Sequence, residues 1–144
     1  MARKLSGEFK TKHPPEQRTS EEIVQAIKEK IKDGELSCAH AEAIARTKGT
    51  TLAEVGINLD LMEIRIGKCQ LGLFGYGTTS KSVQPATNIS PDLTAAINNA
   101  LSDGRLPCVA AWTIAVSLGT PRMAVAGACE AMKIKIKPCQ LGAF

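Results

Sequence analysis

Ala45-Arg46-Thr47-Lys48-Gly49-Thr50-Thr51-Leu52-Ala53-Glu54-Val55 returns in the second half of the chain as Ala115-Val116-Ser117-Leu118-Gly119-Thr120-Pro121-Arg122-Met123-Ala124-Val125. Alanine, glycine and valine hold the same three places in both stretches. The match runs without a gap from Ser20 against Ser90 to Phe74 against Phe144, with 21 identities over 55 aligned positions. Both copies close on Cys-Gln-Leu-Gly-x-Phe, at 69–74 and at 139–144. The 144-residue chain is therefore a duplicated small module. A unit of this size buries only about 60% of its unfolded surface and is marginal alone. Packing of repeat on repeat, or a homodimer, is the expected remedy.

The pattern inside a repeat is helical. Ser20 is placed to cap a first helix, with Glu21 and Glu22 in its opening turn. Ile23, Ile27 and Ile31 recur at helical spacing, matched by Leu93, Ile97 and Leu101, and an Asp-Gly pair is the expected stop in both copies. A second helix starts at Ser37-Cys38, or Pro107-Cys108, and runs to Gly49 or Gly119. A third starts near Thr50-Thr51 and turns Val55, Leu59 and Met62 inward. Alternation then takes over: Ile64-Arg65-Ile66 and Ile134-Lys135-Ile136 read as a short strand. Residues 1–19 lack apolar periodicity and read as a flexible basic tail, and 75–89 as a linker. The domains are thus 20–74 and 90–144.

Ala45, Gly49 and Val55, at relative positions 5, 9 and 15, with Ala115, Gly119 and Val125 in the second copy, carry a resemblance to helix-turn-helix units of the winged-helix kind. The small alanine lets two helices approach, the glycine makes the turn, and the valine packs between them. The resemblance covers about three quarters of the chain. It implies a mainly α fold of two tandem three-helix units, each ending in a short β-strand or hairpin. It also implies a DNA-binding protein, a small transcription regulator, with the third helix in the major groove.

The outward face of that helix argues against the usual groove contact. With Val55, Leu59 and Met62 inward, Ala53, Glu54, Ile57, Asp60 and Leu61 face out, and in repeat two Met123, Ala124, Gly127, Glu130 and Ala131. None is basic. An apolar stripe of Ile57, Leu61 and Met123 suits burial between repeats or at an interface. Trp112, which replaces Glu42, adds an aromatic side chain to that candidate surface.

The net charge of +4 is unevenly spread: +3 over 1–20, −2 over 21–74, +1 over 75–90 and +2 over 91–144. Lys133, Lys135 and Lys137 alternate with Ile134 and Ile136, so all three are expected on one strand face, with Arg65 and Lys68 as a weaker version in repeat one. Together with Arg105, Arg122, Arg3 and Lys4, and with Lys10 and Lys12 in the tail, they are the candidate phosphate contacts for double-stranded DNA. A lysine-rich edge that keeps a strand soluble is the plainer reading of the same residues.

No catalytic constellation assembles. His13 lies in the tail, His40 becomes Ala110, and the glycines after Gly72 lead into a linker rather than a helix. No enzyme activity, cofactor or metal site is expected. The five cysteines include no C-x-x-C, and the pairs within each repeat, Cys38 with Cys69 and Cys108 with Cys139, are far apart in sequence. Cys38 and Cys129, on core stripes, read as small buried hydrophobes, whereas Cys69 and Cys139 each follow a strand beside the Gln-Leu-Gly turn and stay open. A reduced, cytoplasmic protein is expected. No run of apolar residues is long enough for a membrane span, and the start has no secretory signal. Two rivals to DNA binding remain: a protein-interaction adaptor that keeps the fold, and a thiol or metal sensor built on Cys38, Cys69, Cys108 and Cys139.

Overall fold

The computed structural model describes residues 9–76 and 81–143, and these form two compact units. In the first, α1 (Glu21–Lys30), β1 (Glu35–Ser37), α2 (Cys38–Thr47), α3 (Leu52–Leu61) and β2 (Arg65–Gly67) follow a short 3-10 helix at Phe9–Lys12. In the second, α4 (Pro91–Ala100), α5 (Cys108–Leu118) and α6 (Arg122–Ala131) repeat the same order of helices. Each helix packs on the two others of its unit. The fold is mainly helical with a small parallel sheet, and the helical part is as expected.

Local chemistry explains the boundaries. The hydroxyls of Ser37, Thr51 and Ser90 accept from the amides of His40, Glu54 and Leu93, satisfying donors that a helix start leaves open. Ser20 stands at the N-cap of α1 but makes no side-chain cap. Gly119 ends α5 at φ +62. The Asp-Gly pairs do a different job from the one expected. The α1 and α4 helices end earlier, at Lys30 and Ala100. Asp33-Gly34 and Asp103-Gly104 take positive φ at both members and close tight turns, with reciprocal 3.0 Å bonds between Lys32 and Glu35.

β2 runs parallel to β1, with Glu35 against Arg65, Leu36 against Ile66 and Ser37 against Gly67. The expected hairpin is therefore absent among the described residues, because the last strand pairs with the segment before α2. In the second unit this ladder shrinks to one bridge, Leu106 with Ile136. The apolar positions of each repeat make its core: Ile23, Ile27, Leu36, Ile44, Val55 and Leu59 in one unit, and Ile97, Leu106, Ile114, Val125 and Cys129 in the other.

The Cys-Gln-Leu-Gly-x-Phe endings are split and exchanged. The first unit takes the chain up to Cys69 and then the segment from Gln140, whereas the second runs from Gln70 to Cys139. Leu141 lies buried against α3, where Gly56 has no side chain: a Cβ there would sit 2.0 Å from the Leu141 carbonyl oxygen. Residues 9–19 and 81–86, which carry no periodic signal, are docked as well. Phe9 and Val83 are both buried. No single helix among the described residues is long and apolar enough to cross a membrane.

Candidate functional site

The third helix of each unit is covered by the segment that precedes the unit's first helix. Asp60, buried on α3, accepts from Lys12 Nζ at 2.9 Å and pairs with His13 Nε2 at 2.7 Å. Glu63 accepts from the amides of Phe9 and Lys10 at 3.2 and 3.0 Å, and Asn58 Oδ1 accepts from Ser20 N at 2.7 Å. In the second unit Glu130, which occupies the place of Asp60, pairs with Lys81. The amide of Ala86 donates to the Gly127 carbonyl at 2.9 Å, and a Cβ on Gly127 would meet Gln84 O at 2.9 Å. Asp60 and Gly127, expected on an open face, are buried under these segments. The acids hold lysines of their own chain.

The cationic residues gather elsewhere, at the edge of the second unit. Lys133 lies just beyond the C-cap of α6 at φ +58, with its amide on Glu130 O and that of Ile134 on Cys129 O. It closes the helix in a left-handed turn and is not part of the strand, which corrects the single-face reading. Lys135 and Lys137 follow on the segment that pairs with Leu106: Leu106 N donates to Lys135 O at 3.0 Å, and Lys137 N to Leu106 O at 2.9 Å. The register of the first unit, carried onto the second repeat, sets Arg105 opposite Lys135. All four side chains belong to exposed residues, and none has an ion-pair partner among the described residues.

The first unit shows what such a ladder looks like when its charges are balanced. Glu35 opposes Arg65 there, and the Glu35 carboxylate lies over Gly67, whose Cβ would come within 1.9 Å of Oε1. Glu35, Glu63 and Gly67 become Arg105, Lys133 and Lys137 in the second unit. Like charges in opposing positions are unfavourable, weakly so where both side chains are exposed to water and salt. The second unit thus carries a repulsion that the first avoids. Sequence reading finds the lysines but not the Arg105–Lys135 juxtaposition, since only the register creates it.

Other candidates fall in different places. Arg65 and Lys68 are exposed in the first unit, whereas Arg3 and Lys4 lie outside the described residues. Arg122 is half-buried, stacked 3.7 Å from the Trp112 ring centre and donating to Gln70 Oε1 at 2.8 Å. Trp112 is only 9% exposed and its ring N–H has no hydrogen-bond partner, so it is not the open aromatic surface expected. Ile57 and Leu61 are half-buried, and Met123 is marginally exposed beside Gly72. The exposed apolar residues lie instead on α5, with Val109 at 55%, Val116 at 77% and Leu118 at 42%. Their counterparts in the first unit are Ala39, Arg46 and Lys48.

Four cysteines are buried and Cys139 is half-buried. Burial, with the neighbouring Glu130 carboxylate adding, pushes the Cys129 thiol up from 9.0 to about 11. Between those values the folded chain keeps a proton that the unfolded chain has lost. Stability is therefore expected to fall as pH rises from about 9 to about 11, because the unfolded state binds fewer protons there. Urea denaturation across that range checks this, with Cys129→Ala losing that part of the slope. No group of three or more His, Cys, Asp or Glu side chains among the described residues is arranged to hold a metal ion.

Comparison with family models, with curated proteins and with solved structures finds no match. The reading of function rests on the geometry above.

Proposed function

We propose that this chain binds duplex DNA through the phosphate backbone, at the edge formed by Arg105, Lys133, Lys135 and Lys137. The observation that carries the reading is Arg105 in register with Lys135, in a ladder whose counterpart pairs Glu35 with Arg65. A repulsion left uncompensated within the chain is relieved when an anion sits between the charges. A row of phosphates supplies several such anions at once, and Lys and Arg contacts to them release counterions. The helix-turn-helix resemblance carried by Ala45, Gly49 and Val55 and by Ala115, Gly119 and Val125 is what supports a role in transcription regulation. The covered, acid-bearing third helices favour backbone contact over base reading, so binding is largely independent of sequence.

Fluorescence anisotropy with a labelled duplex across a salt series tests this. Four phosphate contacts give a slope of log affinity against log salt of about −3.6, and Lys133→Gln, Lys135→Gln and Lys137→Gln together remove about 2.7 of it. A wild-type protein that does not bind at low salt overturns the reading.

A second reading has one observation in its favour. Val109 and Val116, seven residues apart, give α5 an exposed apolar stripe that α2 lacks, as a protein-interaction adaptor would present. On that reading a partner protein is captured whether or not the lysines are changed.

A further inference from the structure

We infer that Cys108 and Cys139 are a dithiol pair, placed to be oxidised to a disulfide by exchange with a low-molecular-weight disulfide. Their wide separation in sequence argues against a joint role, and the parallel ladder removes that objection. In such a ladder the N–H of one residue donates to the carbonyl preceding its partner, and its own carbonyl accepts from the residue following that partner. Leu106 and Ile136 obey this rule through Lys135 O and Lys137 N. The next donor on the same segment, Cys108 N, bonds to Pro138 O at 3.1 Å. That bond sets Cys139, the residue after Pro138, beside Cys108 at the point where the ladder ends and α5 begins.

Hydrogen-bonded neighbouring strands lie about 4.8 Å apart. A disulfide spans Cα atoms about 4.4–6.8 Å apart, a range that includes this usual spacing of hydrogen-bonded neighbours. Exposure assigns the roles. Cys139 is half-buried and open to attack, whereas Cys108 is buried at the first position of α5. The equivalent residues of the first unit, Cys38 and Cys69, are both buried. They form an internal comparison, equivalent in the repeat and less accessible.

The chemistry balances without a cofactor. The Cys139 thiolate attacks one sulfur of oxidised glutathione, releasing one glutathione thiolate and forming a mixed disulfide. The Cys108 thiolate then attacks the Cys139 sulfur and expels the second glutathione. The two protein protons end on the two released thiols. One protein dithiol is oxidised and one small disulfide is reduced. The new bond ties the start of α5 to the last residue before the chain enters the first unit, and clamps the segment that carries Lys135 and Lys137.

The experiment uses the full, reduced chain equilibrated in mixtures of reduced and oxidised glutathione. Acid quenching, alkylation and tryptic mass spectrometry then map the bonds. The expected product has lost two hydrogens and carries one cross-link, Cys108 to Cys139, while Cys38, Cys69 and Cys129 are recovered alkylated after denaturation. Cys108→Ser is expected to stop at a mixed disulfide on Cys139. Glutathione that stays on Cys139 in the wild type, a cross-link to any other cysteine, or no reaction at Cys139 would each overturn the assignment. Because the wild-type map alone decides, the test survives a variant that fails to fold.

Discussion

Gly56→Ala is expected to destabilise the protein by about 1–3 kcal/mol and to loosen the packing of the segment beginning at Gln140 in the first unit. The added Cβ would stand 2.0 Å from the Leu141 carbonyl oxygen, 2.8 Å from its carbon and 3.1 Å from its Cα. All three are backbone atoms, so no rotamer change makes room. Two responses are open. Helix α3 shifts, at an overpacking cost of about 1–3 kcal/mol, or Leu141 leaves, forfeiting the roughly 1.5–3 kcal/mol of a buried leucine. The less costly response sets the loss, so the two figures bound it together. The equivalent position in the second unit is Ala126, which already carries a Cβ and is buried. Ala126→Gly therefore costs about 0.5–1 kcal/mol, from backbone entropy in mid-helix. Urea denaturation gives both values, and proteolysis between 140 and 143 reports the loosened segment. Equal, small effects at 56 and 126 would sink the placement of Leu141.

The second large effect is at Asp60. Its side chain is 7% exposed and takes both Lys12 and His13, whose own side chains are 22% and 17% exposed. Asp60→Ala leaves a cationic lysine half-buried without its counter-charge, and the loss is expected at about 2–3 kcal/mol. Glu130→Ala breaks the corresponding pair with Lys81, but those side chains are 26% and 49% exposed. Water and salt screen such a pair, and it contributes well under about 1 kcal/mol. The contrast between the two variants is the measurement, made by thermal or urea denaturation at one pH. Backbone amide exchange adds a local readout, since Phe9 and Lys10 should lose protection in Asp60→Ala. Indistinguishable losses for the two acids would show that residues 9–13 are not held as described.

Periodicity locates all six described helices, because burial of one stripe is a local property: Ile23 with Ile27, Ile44 with Ala41, and Val55 with Leu59 are neighbours on one turn or the next. The cap at Ser37 and the one at Ser90 are legible for the same reason. What escapes is every contact between distant segments. Asp60 on α3 reads as a solvent-facing acid, since nothing local reveals that Lys12 reaches it from the segment ahead of α1. Asp33-Gly34 reads as a helix stop, and the turn it makes depends on Lys32 finding Glu35. Trp112 reads as open because the residue it replaces, Glu42, is charged, yet Arg122 stacks on it and is tied in turn to Gln70. The candidate site is half visible. All four cations can be named from the sequence, but that Arg105 stands opposite Lys135 needs a register.

The exchanged endings also bear on the order in which the protein can be completed. Leu141 reaches Gly56 from beyond the whole second unit, whereas Leu71, its counterpart in the repeat, follows α3 within the same repeat. Closing a loop roughly sixfold longer costs about 1.5 kcal/mol more chain entropy. The larger consequence concerns time. During synthesis every residue of the second unit, from Gln70 to Cys139, emerges before Leu141 does. The half of the chain made first is thus the half finished last, and its α3 waits on the ribosome with Gly56 uncovered.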